Sequence, residues 1–137
     1  MKSITTLTLL LSLGSVAQAA EHKVLARVTS YWVGEGESGK LSSTGHRLRD
    51  GHCAVDPKRI PYGSRVTFPD GHTTTAVDTG PDVISRKAAR ACGRTPAQKG
   101  AIVVDRFFES KRDAMAWTNS HPEFMTVQVA TPGSQAD

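Results

Sequence analysis

The stretch Arg65-Val66-Thr67-Phe68-Pro69-Asp70-Gly71-His72-Thr73-Thr74-Thr75-Ala76-Val77-Asp78 decides the fold class. Residues 65–68 are rich in β-formers, and residues 73–75 are three successive threonines. β-Branched side chains fit the half-buried surface of a pleated strand. Between the two runs stands Pro69-Asp70-Gly71, a tight-turn sequence. The pattern predicts a β-hairpin over residues 65–77, ending on Asp78 and followed by Thr79-Gly80.

The flanking sequence continues in the same style. Residues 24–32 alternate and predict a strand, and residues 34–43 are Gly/Ser/Glu-rich and predict an exposed loop. Residues 51–55 lead into a short strand, and Pro57, Pro61 and Gly63 punctuate the turns after it. Residues 82–91 change character, with Ala88, Ala89 and Ala91 among Arg86, Lys87 and Arg90. They predict one short helix with Asp82 as N-cap and Gly93 as its stop. Residues 101–108 predict a buried strand. Ser110 caps a second helix, in which Ala114 and Trp117 share a face, and residues 124–130 predict a closing strand. Many short strands, Gly/Pro turns and one or two short helices predict a small, mostly-β barrel.

The start of the chain predicts export. Lys2, the apolar residues 4–13 and Ala17-Gln18-Ala19 have the layout of a secretory signal peptide over residues 1–20. The apolar run is about half of the roughly 20 residues that a spanning helix needs, so no membrane span is expected. The barrel domain is expected over residues 21–131 and a disordered tail over residues 132–137. The expected location is secreted or periplasmic.

Charge excludes one function class. Lys+Arg number 17 and Asp+Glu 13, a formal net charge of +4. This surplus is small and scattered, with no basic stripe interleaved with aromatics, so nucleic acid is not an expected partner. Five histidines (His22, His46, His52, His72 and His121) form no metal-ligand spacing, and neither a metal nor a cofactor is expected. Two cysteines in an exported chain predict one disulfide, Cys53–Cys92. Closing that loop of roughly 40 residues is worth about 4 kcal/mol in the chain-entropy view.

Three aspartates carry the chemistry. Each follows apolar residues, in Ala54-Val55-Asp56, Ala76-Val77-Asp78 and Val103-Val104-Asp105. A carboxylate at a strand end emerges where a barrel opens, partly out of water. Burial raises its pKa, and neighbouring carboxylates raise it further. One member can then hold a proton near neutral pH, as a glycosidic oxygen requires in order to leave. Plainer roles exist for each. Asp56 before Pro57 is a turn-former, Asp78 before Thr79-Gly80 suits an Asx-turn, and Asp105 can pair with Arg106.

The order of these motifs resembles the three-aspartate domain family of small, six-stranded double-psi β-barrels. That family includes the catalytic barrel of membrane-bound lytic transglycosylase A. The matching stretches are Val28-Thr29-Ser30-Tyr31, Ser43-Thr44-Gly45, Ala54-Val55-Asp56-Pro57, Ile60-Pro61-Tyr62-Gly63-Ser64, Ala76-Val77-Asp78-Thr79-Gly80 and Val104-Asp105-Arg106-Phe107-Phe108. The resemblance implies cleavage of the β-1,4 bond between N-acetylmuramic acid and N-acetylglucosamine in peptidoglycan. The muramic acid C6 hydroxyl would attack its own C1 and leave a 1,6-anhydro end.

By the same resemblance, Asp105 is the general acid/base, with Asp78 and Asp56 in support. Tyr31, Thr44, Gly45, Thr79 and Gly80 would lie near the sugar groove, and His46 is positioned to join them. The chain departs from the family at residues 81–101, which stand where the family has a short Gly-rich link. A Cys53–Cys92 bond would pin that insertion beside the acidic cluster.

Two other functions fit the same barrel. One is an inverting glycoside hydrolase of the family 45 endoglucanase type, with Asp105 as acid and Asp56 or Asp78 as base. The other is a non-catalytic glycan-binding or wall-loosening module. A toxin with an inhibitor or immunity partner also fits the size and export, and nothing in the sequence establishes it.

Overall fold

A computed structural model describes residues 20–34 and 40–133. The expected signal peptide lies outside the described residues, apart from Ala20, as does most of the expected tail. Six strands form a closed barrel: β1 (Glu21–Trp32), β2 (His52–Ala54), β3 (Arg65–Thr67), β4 (Thr73–Asp78), β5 (Ile102–Phe108) and β6 (Phe124–Ala130). They run round the barrel in the order β1-β5-β2-β4-β3-β6. Two neighbouring pairs are parallel, β1 with β5 and β2 with β4, and the other four are antiparallel. Among the described strands, closure gives each barrel strand a neighbour on both sides.

The quoted hairpin is present. Val66 pairs with Thr74 across β3 and β4, and the Gly71 N–H donates to the Phe68 carbonyl inside the turn. Gly71 has φ +89°, a left-handed conformation that glycine adopts without the Cβ clash of other residues.

Period-two alternation builds the core. Ala26 and Val28 of β1, Cys53 of β2, Val66 of β3, Ala76 of β4, Ile102 and Val104 of β5, and Val127 and Val129 of β6 pack in one buried cluster. Alternate residues of β5 point the other way. Val103 packs with Ala54, Val83 and Ala89, whereas Phe107 packs with Leu48 and Val77. Asp105 stands between Val103 and Phe107 on that face and is the one β5 residue that is half-buried rather than buried.

Four short helices lie among the described residues: α1 (Pro81–Ile84), α2 (Lys87–Cys92), α3 (Pro96–Lys99) and α4 (Lys111–Ser120). The single helix expected over residues 82–91 is therefore two. It breaks at Arg86, which has φ +56°. A continuous helix would set Val83 and Ala89 about 120° apart. The break lets both pack into one cluster against Ala54 and Val103. Gly80, rather than Asp82, precedes the first turn, and Pro81 opens it. Gly93 ends α2 as expected, and space requires it: a Cβ there would stand 2.7 Å from the Ala89 carbonyl oxygen.

Helix α3 was not anticipated, although Thr95-Pro96 is an N-cap followed by a proline at the first helical position. Ser110 caps α4 by accepting from the Asp113 N–H, as the sequence predicts. Ala114 is buried beneath α4, and Trp117 packs on the barrel core. Among the described residues no helix is long and apolar enough to cross a membrane.

Candidate active site

Parallel pairing of β1 with β5 places Thr29 opposite Asp105 and Tyr31 opposite Phe107. The Thr29 hydroxyl donates to Asp105 Oδ1 at 2.9 Å. Tyr31 lies two residues further along the same face. Its ring meets Phe107 edge-on at 5.2 Å, and its hydroxyl donates to Asp78 Oδ2 at 2.9 Å. On the other side of β5, Ala54 pairs with Asp105 and also with Asp78, across a register shift in β2. Three strands thus bring Asp78 and Asp105 to one place.

Asp105 was expected at a strand end. Instead β5 runs on through Arg106, Phe107 and Phe108, and the carboxyl leaves from the middle of the strand. Its apolar neighbours strip away water, and burial is the main reason its pKa rises from 3.8 to about 6. The charge of Asp78 raises it further, while the Thr29 hydrogen bond and Lys40 act in the opposite direction. Burial, followed by the charge of Asp78, pushes the Tyr31 phenol far above its ordinary value. Tyr31 is therefore a permanent donor to Asp78 at any physiological pH.

Asp78 is 8% exposed at the end of β4. Besides Tyr31 it accepts from the Ser43 N–H at 2.8 Å. The turn at residues 42–46 presents that donor. The Thr44 hydroxyl donates to the Val77 carbonyl at 2.6 Å, which holds the turn to β4. Since that bond uses the only hydroxyl proton of Thr44, His46 Nδ1, 2.8 Å away, must donate to Thr44. Gly45, at φ +85°, returns the chain. Thr44, Gly45 and His46 were expected near the sugar groove. They form the turn that presents the Ser43 donor to Asp78, and none is in the lining of the cavity beside it.

That cavity holds about 420 Å³ and is lined by Tyr31, Lys40, Leu41, Asp78, Thr79, Gly80 and Asp105, among others. Tyr31, Thr79 and Gly80, three of the residues expected near a sugar groove, are among them. A second cavity of about 380 Å³ opens on the far side of Asp105, between β1 and α2. Asp82, Val83 and Asp105 belong to both. Thr29, Lys40, Leu41, Asp82 and Lys87 were not singled out in the sequence as site residues. Strand alternation with Tyr31 identifies Thr29, but no local signal marks the other four.

Asp56 does not join the pair. Its carboxylate accepts from the Lys58 N–H at 3.0 Å, and its carbonyl accepts from the N–H groups of Arg59 and Ile60. It closes a turn, and it faces a separate cavity with His22, Lys58 and Arg59. Turn chemistry consumes the carboxylate that the repeated motif offered.

The expected Cys53–Cys92 disulfide is also absent, and both thiols are free. Cys53 points into the barrel core, whereas its neighbour Ala54 points toward α1 and α2. Cys92 is exposed at the end of α2. Strand alternation turns the Cys53 sulfur into the core, away from the helices on the other face of β2. Burial pushes the Cys53 thiol up to about 12, which makes it inert.

Arg106, next to Asp105, leaves β5 on the opposite face, so the two form no ion pair. Its guanidinium sits 4.8 Å from the Phe108 ring centroid, 4.9 Å from Trp117 and 5.2 Å from Phe68. Its Nε and one terminal nitrogen are buried without a hydrogen-bond partner. Three aromatic faces take the place of a carboxylate.

Among the described residues no group of three or more His, Cys, Asp or Glu is placed to hold a metal ion. Comparison with protein-family models and with curated proteins found no match.

Proposed function

We propose that the protein is an exported lytic transglycosylase acting on peptidoglycan, with Asp105 as its general acid and then base. The observation that carries the reading is a carboxyl of raised pKa, about 6, beside a second carboxylate in an open cleft. Asp105 would protonate the leaving oxygen between N-acetylmuramic acid and N-acetylglucosamine. Asp78, held by Tyr31 and Ser43, would stabilise positive charge developing at C1. The ionised Asp105 would then take the proton of the C6 hydroxyl as it closes on C1. No second nucleophile is needed.

Three features support this reading. The motif order resembles the three-aspartate family. The closed six-stranded barrel with two parallel pairs is compatible with a double-psi barrel. The first twenty residues have the layout of an export signal. Asp56 has no part in the proposal.

Muropeptide analysis by mass spectrometry after digestion of purified sacculi tests it. Wild type should release products with 1,6-anhydro ends, and Asp105→Asn should release none. Full release by Asp105→Asn would remove the catalytic assignment and favour a different site.

A second reading has one observation in its favour. Asp82 is exposed and lines both cavities with Asp105. A carboxylate in that position could activate water, as an inverting hydrolase requires. Reducing ends in place of anhydro ends would select it.

A further inference from the structure

The insertion at residues 81–101 does more than replace a link. Helices α1 and α2 form one wall of the second cavity, through Val83, Lys87, Ala88 and Ala91. Its other side is β1 and β5, through Thr29, Ser30, Val103 and Asp105. Without α2 this space would be open surface, and the only cleft at Asp105 would be the one beside Tyr31.

The two cavities flank the proposed acid and share Asp82, Val83 and Asp105 in their linings. Each has a volume within the roughly 300–1,000 Å³ of small-molecule sites. Each also has an apolar surface and a cation at its rim. On one side Leu41 is 70% exposed next to Lys40. On the other, Ala88 and Ala91 flank Lys87. Among the described residues, the linings are exposed at both outer ends, at Leu41 and at Ala91.

We infer that this groove takes an internal stretch of a glycan strand, with sugars on both sides of Asp105, and that the enzyme cuts within strands rather than from their ends. The inference rests on the reading of Asp105 as a glycan-cleaving acid. A strand lying through both cavities presents an internal linkage to Asp105. Binding energy from sugars on either side then supports cleavage at the centre. A cut from the chain end would need one cavity to be closed.

The test uses long, peptide-free glycan strands, with product lengths followed from the start of digestion. Wild type should yield 1,6-anhydro fragments of intermediate length before disaccharides accumulate. Ala91→Trp places an indole in the cavity under α2 at an exposed position. It should lower turnover of long strands at least about ten-fold, the scale of one lost pocket contact. Lys87→Glu should act in the same direction without adding bulk. Disaccharides released from the outset with no intermediate fragments would overturn the inference and leave the lytic reading standing. Full turnover in both variants would overturn it as well. A wild type that cuts no strands would remove the reading of Asp105 as a glycan-cleaving acid and the inference together.

Discussion

Tyr31 gives its phenolic hydrogen to Asp78 over 2.9 Å, and so ties the end of β4 to the strand that also carries Thr29, the donor to Asp105. One face of β1 therefore holds both carboxylates. Thr29 and Tyr31 are two residues apart, and strand alternation sets them side by side.

Removal of the Tyr31 hydroxyl should be felt in stability. In Tyr31→Phe the Asp78 carboxylate stays buried but keeps only the Ser43 N–H of its two donors. The loss of a hydrogen bond to a charged group is worth about 1.5–3 kcal/mol. The urea midpoint should drop accordingly, with the slope of the transition unchanged. An unchanged midpoint would show that the bond does not hold the site together.

Asp105 makes stability and activity depend on pH in a defined direction. Its folded-state pKa is raised to about 6, so the folded protein keeps a proton that the unfolded chain has already lost. The associated stabilisation is present in full below about pH 4 and is lost as pH rises through about 6. Asparagine cannot ionise. Asp105→Asn should therefore be more stable than wild type at about pH 7.5, by on the order of 2–3 kcal/mol, and equal to it at about pH 3.5. Thermal melts at the two pH values check this, and equal differences at both would contradict it. The acid form is the one that starts the proposed reaction, so the rate should fall above about pH 6. Asp78→Asn removes the like charge and should move that fall to lower pH.

Asp70 should govern acid stability at the other end of the barrel wall. It is partly desolvated, which raises its pKa, but hydrogen bonds from the His72 N–H, the Trp117 indole and the His72 ring prevail and bring it down to about 2. Asp70 Oδ2 lies 3.2 Å from Trp117 Nε1 and 3.1 Å from His121 Nε2. It thereby joins the hairpin turn to α4. A depressed carboxyl contributes stability above its unfolded pKa, near 4, that disappears as pH falls through about 2. Asp70→Asn should lower the melting temperature at neutral pH and flatten its decline between about pH 4 and pH 2. A decline as steep as in wild type would place the acid sensitivity elsewhere.

The thiols should behave differently from each other. Cys92 is exposed and Cys53 is buried. Iodoacetamide should label one thiol in the native protein and a second only after unfolding, as read by intact mass. Failure to label either without reductant would restore the disulfide.

The local pattern determined much of the architecture. β6 runs over Phe124–Ala130, where the alternation placed it, and β5 and the Asp70-Gly71 turn lie where the sequence put them. These features depend on periodicity and backbone preference, which act over a few residues. The split of the helix at Arg86 was not legible, because it answers to Val83 and Ala89 seeking the same pocket on the barrel.

The site shows the same division. The three Asp motifs look alike in sequence, and the sequence alone determined that carboxylates follow apolar runs at positions 56, 78 and 105. Only the tertiary structure decided which of them meet. Pairing of β2 with β4 on one side and with β5 on the other brings Asp78 and Asp105 together across three strands, while a turn uses up Asp56. The raised pKa of Asp105 depends on burial by residues far away in the chain. The direction of the Cys53 sulfur depends on which face of β2 turns inward. Both are set by the closure of the barrel, a long-range event that no short window of sequence contains.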